Sequence, residues 1–477
     1  MNERLGTVYL IAAWLCFSLF GFVLNFWLGR ELGPELYGLY GLIMSVLTWL
    51  EVFVINGVPY AVQKFVAADE DHAYPILKNA VRIQLVVVIV LFLTAYFCAP
   101  VISHALNDIR LSYFLKLAFL DILVFGFYHL FLAFQNGLHR FERQAFLIVT
   151  YSFSKLLFVF LLVRIMHSLA GALLANVAAS LAGMMVCLIY INPKAFATAG
   201  AIYQKSKSFF RFSAHSLIYF LWLTILFYVD LWSVKYFLSD TICGYYVAAS
   251  TLARIPYYVF LGLSATILPV MAKALSEQNR DKMQHALQSA TRFFLLLALP
   301  MAVLITAFSR QFLTLFYSSA FDEAASLLSV LIWGMTFMAF FSILTTVINA
   351  SDKPALSMKM TAITVIWDLI LNVLFVPRYG AIGGAWATTI AIGMGVIMAI
   401  IPVVRQFQVL IDWKNVVRIG TSALLLYLFV RLFQVESILF LAICLAGCLF
   451  YVAMLVLLKE VRTRDLLDLI RQKRVFY

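Results

Sequence analysis

A small set of charged residues lies inside long apolar stretches of this chain: Arg82, Lys116, Lys155, Arg254 and Arg292 as cations, Glu51, Asp121, Asp230 and Asp368 as anions. A charge at the centre of a bilayer costs at least about 2.5 to 3.5 kcal/mol on insertion scales, so one that persists faces water or a partner. Arg254 stands two residues before Pro256, which frees a backbone carbonyl and bends the helix, an arrangement tolerated beside a water-filled cavity. A guanidinium fork matches phosphate oxygens, and Tyr257 and Tyr258 add hydroxyls and aromatic faces for a sugar. The competing reading of Arg254 is an ion pair with Glu51 or Asp121. Lys155 is a second candidate for an anionic ligand and reads equally well as half of a structural pair. Arg82 and Arg292 sit about a turn inside the expected membrane boundary, where snorkelling to headgroups competes with a mouth that attracts an anionic headgroup.

A different constellation suits a cation. Asp368 and Asn372 are four residues apart and share one helix face. With Asp230 and with Thr388 or Thr389 they offer carboxylate, amide and hydroxyl oxygens to Na+, or a carboxylate to a proton. Neutralisation of a nearby base is the alternative for either aspartate. His129 and His215 have no second ligand at useful spacing, and the six cysteines show no CxxC, so no metal site or disulfide framework is expected. There is no Walker loop, GxSxG or HExxH in a credible context. The expectation is a protein that is not an enzyme and needs no cofactor beyond a coupling Na+ or H+.

The elements that carry these residues follow from composition. With 64% hydrophobic and 12% charged residues and a mean hydropathy of +0.96, the chain cannot be a soluble protein, whose charged share is about 25%. Unbroken apolar runs also exclude a β-barrel. Fourteen runs are long enough to cross a membrane, which predicts an all-α polytopic membrane protein. The expected organisation is residues 1–192 with spans 1 to 6, a linker at 193–208, residues 209–405 with spans 7 to 12, residues 406–458 with spans 13 and 14, and a basic tail at 459–477.

Most of the 35 Lys and Arg fall in the termini and in the loops after even-numbered spans. The intervening loops hold few: Arg30, Arg110, Arg164, Lys235, Arg310, Arg378 and Arg431. That bias places both termini in the cytoplasm. A net charge of +12 therefore reports orientation and headgroup contact, with no nucleic-acid partner implied. In the tail, Leu466, Leu467, Leu469 and Ile470 form an apolar stripe among basic residues, as in a short helix lying on headgroups or a simple stop-transfer tail.

The two sets of six spans resemble each other at an offset of about 210 residues. Leu77, Ala80 and Arg82 recur as Leu287, Ala290 and Arg292, and Gly38 and Tyr40 as Gly244 and Tyr246. Pro59 near Lys64 recurs as Pro269 near Lys273, and Gly171 to Ala175 recurs as Gly383 to Ala387. An offset of an even number of spans makes the repeats parallel, and spans 13 and 14 are an appendage.

This 6 + 6 + 2 plan, the turn LGRELGPELYGLY, span 8 reading LARIPYYVFLGLSATILPVMAKAL and the run NVLFVPRYGAIGGAWATTIA together resemble the polysaccharide flippases of the multidrug/oligosaccharidyl-lipid/polysaccharide (MOP) exporter superfamily. The resemblance implies two lobes around a central cavity. It also implies flipping of an undecaprenyl-diphosphate-linked oligosaccharide to the outer leaflet of a bacterial inner membrane by alternating access, beside polysaccharide polymerase and export proteins. Arg254 is then the expected diphosphate ligand. The sequence is similar to the lipid II flippase branch in having an arginine in span 8, but Ser18 and Asn25 stand where that branch has span 1 arginines. The branch's sodium site looks similar to Asp230, Asp368 and Asn372, with the order in span 11 reversed. The alternatives are an ion-coupled multidrug exporter, a lipid II flippase, and a membrane-embedded polymerase or glycosyltransferase, which the short loops disfavour.

Overall fold

A computed structural model describes residues 3–200, 206–260, 271, 277, 280–351, 354–408, 412–433 and 438–461. The tail from Arg462 onward, the second half of predicted span 8 and the side chain of His215 lie outside the described residues. The described chain is helical throughout, as lipid demands, because a helix satisfies its own backbone polar groups.

Helix α1 (Glu3–Ile55) is divided at Gly33, whose φ of 70° and ψ of 174° leave the helical region. Glycine adopts that φ without steric cost, and Pro34 then opens the next segment with its preset φ. The apolar stretch Val8–Ala68 is far too long for one crossing, and the break at Gly33 makes it two. Helices α2 (Val58–Ala68), α3 (Ala73–Ala105), α4 (Leu111–Gly137), α5 (Phe141–Met166) and α6 (Leu169–Ile189) follow, then short α7 (Pro193–Thr198), α8 (Ser206–Phe237) and α9 (Asp240–Ala253). After α9 the helix breaks at Arg254 and resumes over 255–260. The remainder is α10 (Arg280–Ala307), α11 (Ser309–Phe316), α12 (Ala325–Ala350), α13 (Pro354–Tyr379), α14 (Ala381–Phe407), α15 (Trp413–Arg431) and α16 (Phe440–Leu457). Among the described residues, eleven helical stretches are long and apolar enough to cross a membrane.

Two features escape hydropathy. Helix α3 begins six residues before its apolar stretch, and its first turns bury Ile76 and Leu77 while Lys78 Nζ donates to the carbonyls of Ala197 (3.0 Å) and Ala199 (2.8 Å) at the end of α7. A cation there also suits the negative end of the short helix. The connection after α10 folds into α11 and a 3-10 turn, joined by an Arg310–Asp322 ion pair of 2.9 Å.

The interior is unusually polar and the outside apolar: Gln84, Asn176 and Ser180 are buried while Phe97, Ile165 and Ile189 are exposed. Lipid is as apolar as a leucine core, so polar contacts and close packing of small residues hold such helices together. The Gln84 amide shows how, donating at 3.0 Å to the carbonyls of both Val54 on α1 and Gly126 on α4.

The chain forms two compact units, Met1–Val247 and Ala248–Tyr477. In the first, α6 packs on α4 and α5; in the second, α14 packs in the same way on α12 and α13. The repeat extends to single glycines. A Cβ on Gly171 of α6 would stand 2.6 Å from the Leu162 carbonyl oxygen of α5, and one on Gly383 of α14 would overlap the Phe375 carbonyl of α13. Helices α15 and α16 attach to α10 through Leu304, Phe308, Leu426, Val430, Phe440 and Tyr451.

Another repeat pair meets itself within the first unit. A Cβ on Gly38 would stand 2.5 Å from the backbone nitrogen of Gly244, and one on Gly244 would overlap the Pro34 carbonyl. The start of α9 therefore lies directly on the backbone of α1 just after its break.

Candidate functional site

Asp368, Asn372 and Thr388 come together in the second unit, all fully buried. One turn of α13 separates Asp368 from Asn372, and the second residue of the Thr388–Thr389 pair on α14 faces another way. Asp368 Oδ1 accepts from Asn372 Nδ2 at 2.7 Å and from Thr388 Oγ1 at 2.9 Å, and the same amide nitrogen reaches the Asp368 carbonyl at 2.9 Å. Asn372 Oδ1 is buried without a hydrogen-bond partner among the described residues. Thr389 instead donates to the Val330 carbonyl of α12 at 3.4 Å. One carboxylate with an amide and a hydroxyl suits a monovalent cation, and rotation of the Asn372 amide would turn its oxygen toward the carboxylate.

Asp230 belongs to the first unit. Its Oδ2 accepts from Tyr246 Oη at 2.8 Å and its Oδ1 from the Leu231 N–H at 2.7 Å. Lys155 lies within electrostatic reach of the buried carboxyl groups of Glu51 and Asp121. Arg82 is exposed on α3. Its repeat counterpart Arg292 differs: Nε donates to Glu460 Oε1 at 2.7 Å and Nη2 to the Glu460 carbonyl, tying α10 to the end of α16. Arg254 is half-buried at the break after α9, with Tyr257 buried and Tyr258 exposed. Asn25 accepts from Tyr37 Oη at 3.1 Å, and Ser18 donates to the Trp14 carbonyl at 3.0 Å. His129 packs edge-on against Phe125 with centroids 4.5 Å apart.

One charged cluster was invisible in the sequence. The connection between α3 and α4 brings Asp108 and Arg110 against Lys235 and Asp240, which flank the turn between α8 and α9. Lys235 Nζ contacts Asp108 at 3.1 Å and also Asp240, Arg110 contacts Asp240 at 2.6 Å and Asp108 at 3.1 Å, and Glu35 lies 3.8 Å from Arg110. Lys235 and Asp108 are buried. Their separation by more than a hundred residues left no signal to read. Burial pushes the Asp108 carboxyl up, but hydrogen bonds from Arg110 and Lys235 outweigh it and hold the group below the ordinary carboxylate value. A depressed folded-state value contributes stability above the unfolded value, about pH 4, and loses it as pH falls further. Lys235→Met leaves the buried Asp108 carboxylate with only the exposed Arg110 as counter-charge, and breaking a buried pair costs about 3 kcal/mol. The variant should melt well below wild type at neutral pH in thermal scans of the purified protein, and the gap should close below about pH 4. A constant gap across that range would exclude the carboxylates from the effect.

The fold is that of a multi-span membrane transporter built on an internal repeat. Residues 5–275, more than half of the chain, match the family described as "Polysaccharide biosynthesis protein", and residues 216–374 match MatE. The chain belongs to that polysaccharide biosynthesis family and, with it, to the MOP exporter superfamily. It is 22% identical over 381 residues to "Uncharacterized membrane protein MJ1068" of Methanocaldococcus jannaschii, covering 74% of each chain. It is also 22% identical over 219 residues to "Probable low-salt glycan biosynthesis flippase Agl15" of Haloferax volcanii, covering 46% of each. Among solved structures, "Lipid II flippase MurJ, inward closed conformation" superposes with a TM-score of 0.78 at 17% identity, over 96% of this chain and 100% of that one. An inward-facing multidrug resistance MATE transporter of the MOP superfamily gives 0.71 at 14% identity, over 84% and 98%. At these identities the structures speak for fold. By name, the matched proteins of described role are flippases and transporters and not enzymes.

Proposed function

We propose that this chain flips a polyprenyl-diphosphate-linked oligosaccharide, undecaprenyl-linked in a bacterial inner membrane, from the cytoplasmic to the outer leaflet during cell-surface polysaccharide synthesis. The observation that carries the reading is the polysaccharide biosynthesis family match across residues 5–275, and a relative named as a glycan biosynthesis flippase supports it. Both termini face the cytoplasm, and transport runs by alternating access. Arg254, at a helix break where the chain is half-buried, grips the diphosphate with its fork, while Tyr257 and Tyr258 lie beside it for the first sugar. The Asp368, Asn372 and Thr388 cluster takes Na+ or H+, and the bound cation biases the two cavity states through its differential affinity. Asp230 is already engaged by Tyr246, and Lys155 has anionic neighbours, so neither is a principal ligand in this reading. The MatE match over residues 216–374 favours, as a second reading, an ion-coupled multidrug exporter.

The two readings part at Arg254. If it binds the diphosphate, Arg254→Ala abolishes flipping at near wild-type membrane abundance, and Arg254→Lys keeps part of the activity because charge survives without the fork. Flipping is read as lipid-linked oligosaccharide reaching an impermeant glycosidase outside cells. Normal flipping by Arg254→Ala, or its disappearance from the membrane, would remove the binding role.

A further inference from the structure

A groove of about 460 Å³ runs between α10, α12 and α15 in the second unit. Leu299 and Val303 line it from α10, Trp333 from α12, and Gly420, Leu424 and Tyr427 from α15. Leu424 is 59% exposed, so the groove opens onto the apolar outside of the unit. Gly420 gives it depth: a Cβ there would meet nothing within 4 Å, whereas one on Gly447 of the neighbouring α16 would touch Leu426 at 3.0 Å. Its volume falls within the range of sites that hold a small ligand, about 300 to 1,000 Å³.

The two ends of the groove differ. Around Gly420 and Leu299 the lining is aliphatic. At the other end Trp333 Nε1 donates to Thr306 Oγ1 at 3.1 Å, and the Arg431 guanidinium lies 5.0 Å from the centre of the Tyr427 ring. Residues 420, 424, 427 and 431 recur at steps of three and four, so Arg431 stands on the groove face of α15, one turn beyond the lining. Aromatic rings and a cation at one level of a span mark the headgroup boundary. From Tyr427 to Gly420 the helix rises roughly 10 Å, against a hydrocarbon core about 30 Å thick. The groove therefore starts beneath the headgroups and ends within one leaflet. That extent matches an acyl chain and not a polyprenyl tail, which is longer than a leaflet.

We propose that this groove binds one phospholipid of the surrounding bilayer, with an acyl chain laid along Val303, Gly420 and Leu299 and the phosphate held by Arg431. The guanidinium fork pairs with phosphate oxygens, and the Tyr427 ring beside it keeps it at the headgroup level. The bound chain supplies packing between α10 and α15 that the side chains around Gly420 leave open. The site stands whether the cargo is a lipid-linked glycan or a drug, because its test needs no cargo.

The test is native mass spectrometry of the full-length chain, purified in mild detergent, washed free of loosely held lipid and titrated with phosphatidylglycerol. Wild type should keep one phospholipid through the wash and rebind one on titration. Gly420→Leu puts a side chain into the open groove and should weaken binding at least about tenfold. Gly21→Leu, at another glycine where a Cβ meets nothing within 4 Å, should bind as wild type does. Arg431→Gln, a surface change that serves should Gly420→Leu fail to assemble, should weaken binding about tenfold by removing a charged contact. Wild type without a retained phospholipid, or unchanged binding in Gly420→Leu or Arg431→Gln, would overturn the proposal. A retained mass belonging to a polyprenyl lipid in place of the phospholipid would overturn it in favour of a site for the cargo's tail.

Discussion

Gly244→Val should be the most damaging single substitution in the first unit. Its Cβ would fall on the Pro34 carbonyl, backbone that cannot rotate away, and a Cβ on Gly38 would in turn stand 2.5 Å from the Gly244 nitrogen. Relief requires moving α9 bodily off α1, which strips contact from the turn that also carries Asp240 and Lys235 of the buried ionic cluster. Overpacking of an ordinary core costs about 1 to 3 kcal/mol, and a clash with backbone belongs at or above the upper end. The fair control is Gly393→Val, where a Cβ would meet only the Phe337 ring at an ordinary 3.7 Å. In thermal scans of purified protein the first variant should melt many degrees below wild type or fail to yield monodisperse protein, and the control should stay close to wild type. Equal melting of the two would mean that α1 and α9 are not packed at this distance.

Asp368→Asn is expected to leave the second unit folded while removing its response to a driving gradient. The substitution keeps size and an acceptor for Thr388 while deleting the formal charge, so the geometry around Asn372 survives but the attraction for a cation does not. Loss of about 1.4 kcal/mol of cation affinity is a tenfold change in binding, and the acceleration of transport by an imposed Na+ or H+ gradient should fall by at least about that factor. Asp230→Asn serves as the comparison, because that carboxylate accepts from Tyr246 Oη and the Leu231 N–H in the first unit. A gradient response unchanged in Asp368→Asn would reduce the trio to a structural hydrogen-bond network.

Much of this fold is written in hydropathy. The apolar runs map onto the long helices, and the repeat is visible both as matched residues and as matched packing, down to Gly171 and Gly383. The spacing of Asp368 and Asn372 alone puts them on one face, since a four-residue step is a property of the helix itself. Spacing does not decide which threonine answers them. Adjacent residues on a helix point about 100° apart, and only the packing of α14 against both α12 and α13 turns Thr388 to Asp368 and Thr389 to Val330. Contacts between distant segments are illegible for the same reason. Lys235 with Asp108 and Arg292 with Glu460 are set by how helices pack, while the local sequence reports only that each charge is costly where it stands.

The proposal that this chain moves a lipid-linked glycan is tested most directly by reconstitution. Purified protein in liposomes loaded with a synthetic polyprenyl-diphosphate oligosaccharide should carry the lipid across the bilayer, seen as a rising fraction cleaved by an impermeant glycosidase. That rise should accelerate under an imposed Na+ or H+ gradient and vanish in Arg254→Ala. Cleavage no faster than in protein-free liposomes, together with gradient-driven movement of an organic cation by the same preparation, would contradict the account and assign the chain to drug export.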